Sequence, residues 1–167
     1  MVRSAKQSRI VDIDIKETIP RVFMLFLQTA HAVEKYCDSE LFFKAGLSMP
    51  KLAVLQILDK NGGTMMPSTI ADWMLVARHN MTTLVDRLRK DGLVTVERGA
   101  FADRRQVHVT LTAKGRKTLK QASPLNQKIV KNVMAKIDED TAISLEQALI
   151  ILRINAVDGL DRIYKRR

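Results

Sequence analysis

LVTVERGAFADRRQVHVTLT, residues 93–112, holds two runs in which apolar and polar residues alternate, 93–98 and 106–112, separated by the loop GAFADRR. Period-two alternation on both sides of a glycine-containing loop predicts a two-stranded ribbon. The loop carries Asp103, Arg104 and Arg105. Exposed ion pairs add only about 0–1 kcal/mol to stability, so two guanidinium groups at a ribbon tip point to a partner outside the chain. Upstream, VARHNMTTLVDRLRKDG (76–92) puts Met81, Leu84, Val85 and Leu88 on one side of a helix that Gly92 stops. Downstream, Thr112 is placed to cap a helix from about 113 to 136 that is expected to break near Pro124.

The remaining elements follow from the same periodicities. Residues 16–44 space Val22, Phe26, Ala30, Val33, Tyr36 or Cys37, and Leu41 as one helical face, closed by Gly46. Ser48 reads as the N-cap of a short helix with Leu52, Leu55, Ile57 and Leu58 toward a core, ended by Gly62 and Gly63. A third helix runs from about 68 to 74, after Pro67. After the acidic residues 138–140, which suit a helix N-terminus, a last helix from about 141 to 164 carries Leu145, Leu149, Leu152, Ala156 and Ile163, flanked by Ile143, Ile150, Ile154 and Val157. That stripe is too wide for a monomer surface and calls for a partner.

With 167 residues, 46% of them hydrophobic, the chain can bury a core without cross-links, and it reads as one domain over 1–167. Cys37 is the single cysteine, so no intramolecular disulfide forms. Residues 1–16 contain no apolar block of signal-peptide length. The longest apolar runs, VFMLFL (22–27) and ALIIL (148–152), are far short of the roughly 20 residues that span a bilayer. The expectation is a cytoplasmic protein with no membrane partner. The net charge is +10, and residues 78–120 hold 11 basic and 4 acidic side chains, an excess of 7, against 9 and 7 in residues 1–60. Charge concentrated in one segment points to a polyanion.

Three short helices followed by a hairpin, with the third helix and the hairpin loop the most basic parts, describe a winged helix-turn-helix core over 48–112. The fold class is mainly α with a small β-hairpin wing, and helices at 16–44 and 113–164 are set aside for dimerisation. The segment 70–119 resembles the DNA-binding core of the multiple-antibiotic-resistance regulator (MarR) family. The matching elements are IA at 70–71, LVDRLRKDGLV at 84–94 and DRRQVHVTLTAKG at 103–115. The resemblance implies a homodimer that binds a pseudo-palindromic operator in double-stranded DNA. Such a dimer acts usually as a repressor and occasionally as an activator, with two recognition helices in successive major grooves and wings reaching the minor groove. It also implies control by small, commonly aromatic ligands or by thiol oxidation. Leu75 and Ala77 depart from the family, which often has a turn glycine and a hydroxylic cap there.

With Met81, Leu84, Val85 and Leu88 inward, the side chains left outward on 78–91 are Arg78, His79, Asn80, Thr82, Thr83 and Arg87. Asn pairs with adenine, Arg with guanine, and Thr with a base or a thymine methyl. Asp86 is expected to pair with Lys90 on the helix surface. By the resemblance, Arg105 enters the minor groove with Asp103 orienting it, and Arg104 meets the backbone. Nothing in the spacing of His31, His79 and His108 suggests a metal, and no Gly-rich phosphate loop follows a strand, so neither enzyme, metal nor cofactor is expected. Trp73, Met65 and Met66 are expected in the core, with an effector pocket as the rival reading. Cys37 is expected to be a buried structural thiol, with an oxidation switch as its rival and a small organic effector preferred. The other alternative is a sequence-tolerant basic module coating nucleic acid.

Overall fold

The computed structural model describes residues 15–99 and 106–164. Its elements are α1 (Thr18–Ala45), α2 (Met49–Lys60), β1 (Thr64–Met65), α3 (Pro67–Met74), α4 (Arg78–Lys90), β2 (Val94–Arg98), β3 (Val107–Leu111), α5 (Ala113–Val133) and α6 (Glu139–Tyr164). The chain divides into two compact units, Met1–Ile129 and Val130–Arg167.

The first unit is built around the alternation seen at 93–112. β2 and β3 pair antiparallel with Val94 opposite Leu111 and Val96 opposite Val109, so one face of the ribbon is apolar, and Val94, Val109 and Leu111 are buried. The sheet gains a third strand that periodicity could not reveal: the two residues of β1 pair with β3, Thr64 opposite Thr110, and the two threonine hydroxyls lie 3.0 Å apart. Strand order is β1-β3-β2. Over the apolar face sit Leu52, Val54, Leu55 and Leu58 of α2, Ile70 and Ala71 of α3, and Met81, Val85 and Leu88 of α4. Val54, rather than the expected Ile57, joins Leu52, Leu55 and Leu58 as a fully buried member of α2, and Ile57 is half-buried.

Helix termini differ from expectation in instructive ways. Ser48 occupies the N-cap backbone position of α2 but makes no side-chain cap. Asp38 of α1 supplies it instead, accepting from the Met49 amide at 2.6 Å. Leu75 closes α3 in the left-handed region at φ 52°, a conformation that costs a non-glycine residue roughly 1–2 kcal/mol. Ala77 begins α4 with no side-chain cap. The turn between α3 and α4 is therefore held by backbone bonds, Val76 N to Ala71 O among them, and by the packing of Ile70 and Met81. Thr112 caps α5 as expected, its hydroxyl accepting from the Gly115 amide at 2.9 Å. The expected break near Pro124 does not occur, and α5 runs through it. Leu119, Ala122 and Ile129, buried on one face, hold the helix on both sides of the proline.

In the second unit α6 starts two residues earlier than expected, at Glu139, because Asp138 caps it by accepting from the Thr141 amide at 2.8 Å. The Thr141 hydroxyl first, and then this amide bond, hold the Asp138 carboxyl below its ordinary range. None of the described α6 side chains is buried, and Ile143, Leu145, Leu149, Ile150, Ile154 and Ile163 are exposed within the chain. Among the described residues no single helix is long and apolar enough to cross a membrane.

Gly115 stands in the first turn of α5 against the turn that precedes β2. A Cβ there would overlap the Leu93 carbonyl oxygen and come within 2.7 Å of Leu111 Cδ1. Gly115→Ala is expected to lower stability by about 1–3 kcal/mol, the usual range for a forced contact in a packed interior. The urea unfolding midpoint at fixed protein concentration measures it.

Candidate nucleic-acid interface

The basic helix α4 is amphipathic by construction. Met81, Val85 and Leu88 recur at three and four residues and are almost fully buried, while Leu84 is half-buried beside them. That burial fixes which side is left free. Arg78, His79, Asn80, Thr82, Thr83 and Arg87 are all exposed, as the period predicted, and five of the six lie in the N-terminal half of the helix.

The two threonines are already engaged in part. Thr82 donates its hydroxyl hydrogen to the Arg78 carbonyl at 3.1 Å and Thr83 to the His79 carbonyl at 3.2 Å. Their outward chemistry is thereby a methyl group and an acceptor oxygen, which suits a thymine methyl or a base amino group better than an acceptor such as phosphate. Arg78 and Thr82 also border a cleft of about 230 Å³ with Met66, Pro67 and Ser68 at the start of α3 and Val107 of β3. Ser68 is not among the residues singled out from the sequence, since a residue beside a proline carries no sign of standing next to a helix ten residues on. Asp86 pairs with Arg89 at 3.6 Å rather than with Lys90. One residue makes the difference, because i,i+3 and i,i+4 neighbours are both within reach on a helix, and two exposed partners contribute little either way.

Asp103, Arg104 and Arg105 lie outside the described residues. The ladder of β2 and β3 carries as far as Gly99, whose amide bonds the Gln106 carbonyl at 3.2 Å, so the chain enters and leaves that loop at one end of the ribbon.

Trp73 is not in the core: it is 58% exposed, and Met66 beside α3 is 37% exposed. Apolar character predicted their burial, but Ile70 and Ala71 already fill the inward face of this eight-residue helix. Cys37 is buried, as expected, at the inward face of α1 next to Leu41. Burial pushes its thiol pKa up, the bond to its own backbone opposes this, and the Asp38 carboxylate adds to the rise. Such a thiol holds less thiolate at neutral pH than a free cysteine and is correspondingly less reactive. Among the described residues no three His, Cys, Asp or Glu side chains converge on a metal-sized space.

Comparison with known proteins agrees with this geometry. Residues 45–106 match the model of the MarR family. A Bacillus subtilis (strain 168) protein described as the uncharacterized HTH-type transcriptional regulator YfiV is 40% identical over 80 residues, 48% of this chain. The match spans about half, 49%, of that relative's length. Among solved structures, the organohalide-sensing regulator RdhR-CbdbA1625, in its 2,4-dichlorophenol-bound form, superimposes with a TM-score of 0.78 at 26% identity, covering 87% of this chain and 85% of its own. The fold is shared with AbsC of Streptomyces coelicolor, TM-score 0.79 at 19% identity over 86% of this chain and 97% of that one. It is shared too with a second Streptomyces coelicolor MarR-family regulator solved in complex with DNA, TM-score 0.77 at 21% identity over 86% of this chain and 91% of that one. A helix-turn-helix whose second helix turns its polar side outward, a three-stranded wing sheet and these matches together show a winged helix-turn-helix fold whose residues 45–106 match the MarR family of transcriptional regulators.

Proposed function

We propose that this regulator binds a pseudo-palindromic operator as a homodimer, acts as a repressor in the cytoplasm, and is released by a small organic effector. The observation that carries the operator reading is the outward row of Asn80, Thr83 and Arg87, with Arg78 exposed at the start of the same helix, whose other side is locked into the core. Such a row offers guanidinium, amide and methyl groups to base edges at the spacing a major groove accepts. The wing residues Asp103, Arg104 and Arg105 join it by family resemblance, Arg105 toward a narrow minor groove, whose negative potential attracts a guanidinium.

Dimerisation is supported by what each unit leaves uncovered. In α1, Ile19, Val22, Phe23, Leu25, Phe42 and Phe43 are exposed, and in α6 the leucines and isoleucines named above. Apolar surface of that extent is normally covered by a partner. The effector reading rests on a structural neighbour above a quarter identity solved with a chlorinated phenol, and on the burial of Cys37, which disfavours oxidation as the trigger.

The operator is tested by selecting genomic fragments with purified protein and footprinting them. The expected result is one inverted repeat with half-sites about one helical turn apart, and equal affinity for random duplex would instead identify a sequence-tolerant coat protein. On that operator Asn80→Ala is expected to cost about 1–3 kcal/mol and to relax base preference at one position per half-site. Truncation after Asp140 is expected to give aggregated or unfolded chain, and a soluble folded monomer by light scattering and circular dichroism would remove the dimer arrangement. Peroxide is expected to leave operator binding unchanged in the wild-type protein. A peroxide-dependent loss that Cys37→Ser abolishes would transfer the switch to the thiol.

A further inference from the structure

We infer that Thr112 is a positioning residue for operator binding: through it the first turn of α5 grips the C-terminal end of α4 and sets the tilt at which that helix is offered to DNA. The inference rests on α4 reading the operator, as proposed above.

Three successive carbonyls follow the end of α4, and all three are met by donors from the start of α5. Lys114 Nζ donates to Asp91 O at 2.7 Å. The Thr112 hydroxyl lies 2.8 Å from Gly92 O and 3.0 Å from Leu93 O, and the Thr112 amide donates to Leu93 O at 3.1 Å. A hydroxyl has one hydrogen, so it is shared between the Gly92 and Leu93 carbonyls, while its lone pair accepts from the Gly115 amide. One side chain thus caps α5 and ties down the turn that follows α4 at once. Gly115, with no Cβ, lets the two backbones touch there. From the other side Lys51 of α2 reaches the Asp91 carboxylate at 2.6 Å. Two ammonium groups at the C-terminal end of a helix are also favoured by its dipole.

At the N-terminal end of α4 no side chain plays that part: Ala77 provides no cap, and the turn from α3 is held by its own backbone bonds. Packing of Met81, Val85 and Leu88 decides which face is inward, but apolar contact is non-directional and tolerates a small tilt about the buried row. Hydrogen bonds at one end resist it. Thirteen residues make a lever of about 20 Å, so a tilt of about 5° moves the base-reading end by nearly 2 Å, enough to break a hydrogen bond to a base edge. In a dimer both levers move, and the distance between the two base-reading ends changes with them. The geometry therefore points to Thr112 as a setter of half-site spacing, a property that no residue on the DNA-facing side of α4 controls alone.

The test measures full-length Thr112→Val and Thr112→Ser against the operator selected by the wild-type protein, in versions whose half-site spacer is native, one base pair shorter or one longer. Valine keeps the shape and removes the hydroxyl; serine keeps the hydroxyl. The valine variant is expected to lose roughly tenfold in affinity on the native spacer and proportionally less on the altered ones, so that spacer preference shrinks, while serine behaves as wild type. An equal loss on all three spacers, or wild-type affinity and preference, would overturn the positioning role. If circular dichroism shows the valine variant unfolded, Lys114→Met is measured in its place with the same expectation and the same overturning results. A wild-type protein that is itself indifferent to spacing would sink the operator reading, and this inference with it, which separates that failure from a failure of the variant alone.

Discussion

Burial of Met81, Val85 and Leu88 is the constraint on which the rest of the molecule depends. A helix this short has little stability of its own in water, and α4 exists because one of its faces completes a core shared with α2, α3 and the sheet. The same burial leaves the opposite face free, so the chemistry offered outward is decided by what the core takes inward. The buried and the outward face thus share one helix, and each limits substitutions in the other only where the two meet, as at half-buried Leu84.

Sequence patterns with a local cause were readable. The period of α4 separated buried from exposed residues, the alternation at 93–112 gave the ribbon, and Thr112 followed by a helical run signalled its cap. Relations between distant positions were not. Asp38 completing the N-terminus of α2 is eleven residues from the amide it caps, and Lys51 and Asp91 are forty apart. β1 is two residues long, too short for any period to register. Trp73 shows the other limit: apolar character says that burial would be favourable, not that the core has room, and here Ile70 and Ala71 have filled it. Pro124 was read as a break because an interior proline removes a backbone bond, yet buried residues on both sides outweigh that loss.

The positive charge is similarly divided between what a pattern reveals and what only the fold can assign. Arg78 and Arg87 face outward on α4, whereas Lys51 and Lys114 turn to the end of that helix, and Arg116 lies 3.3 Å from Asp59 of α2. In the proposed reading a basic segment supplies both the attraction for a polyanion and part of the internal framing of the helix that would meet it. Raising ionic strength weakens the first strongly, because the counterions condensed on DNA govern it, and weakens the short contacts within the fold much less.

The cap that Asp38 lends to Met49 has a consequence for the order in which structure forms. α2 lacks a side chain of its own that closes its first turn, since Ser48 makes no such bond. Its N-terminus is complete only once α1 has formed through Asp38 and Gly46 has turned the chain back, with Leu41 and Leu47 buried at the junction. The long first helix is therefore not a handle attached to a finished DNA-binding core. Its final two turns belong to the cooperative unit of that core, and fraying that reached Asp38 would be felt in α2, then in the carboxylate that Lys51 holds, before any partner chain was involved.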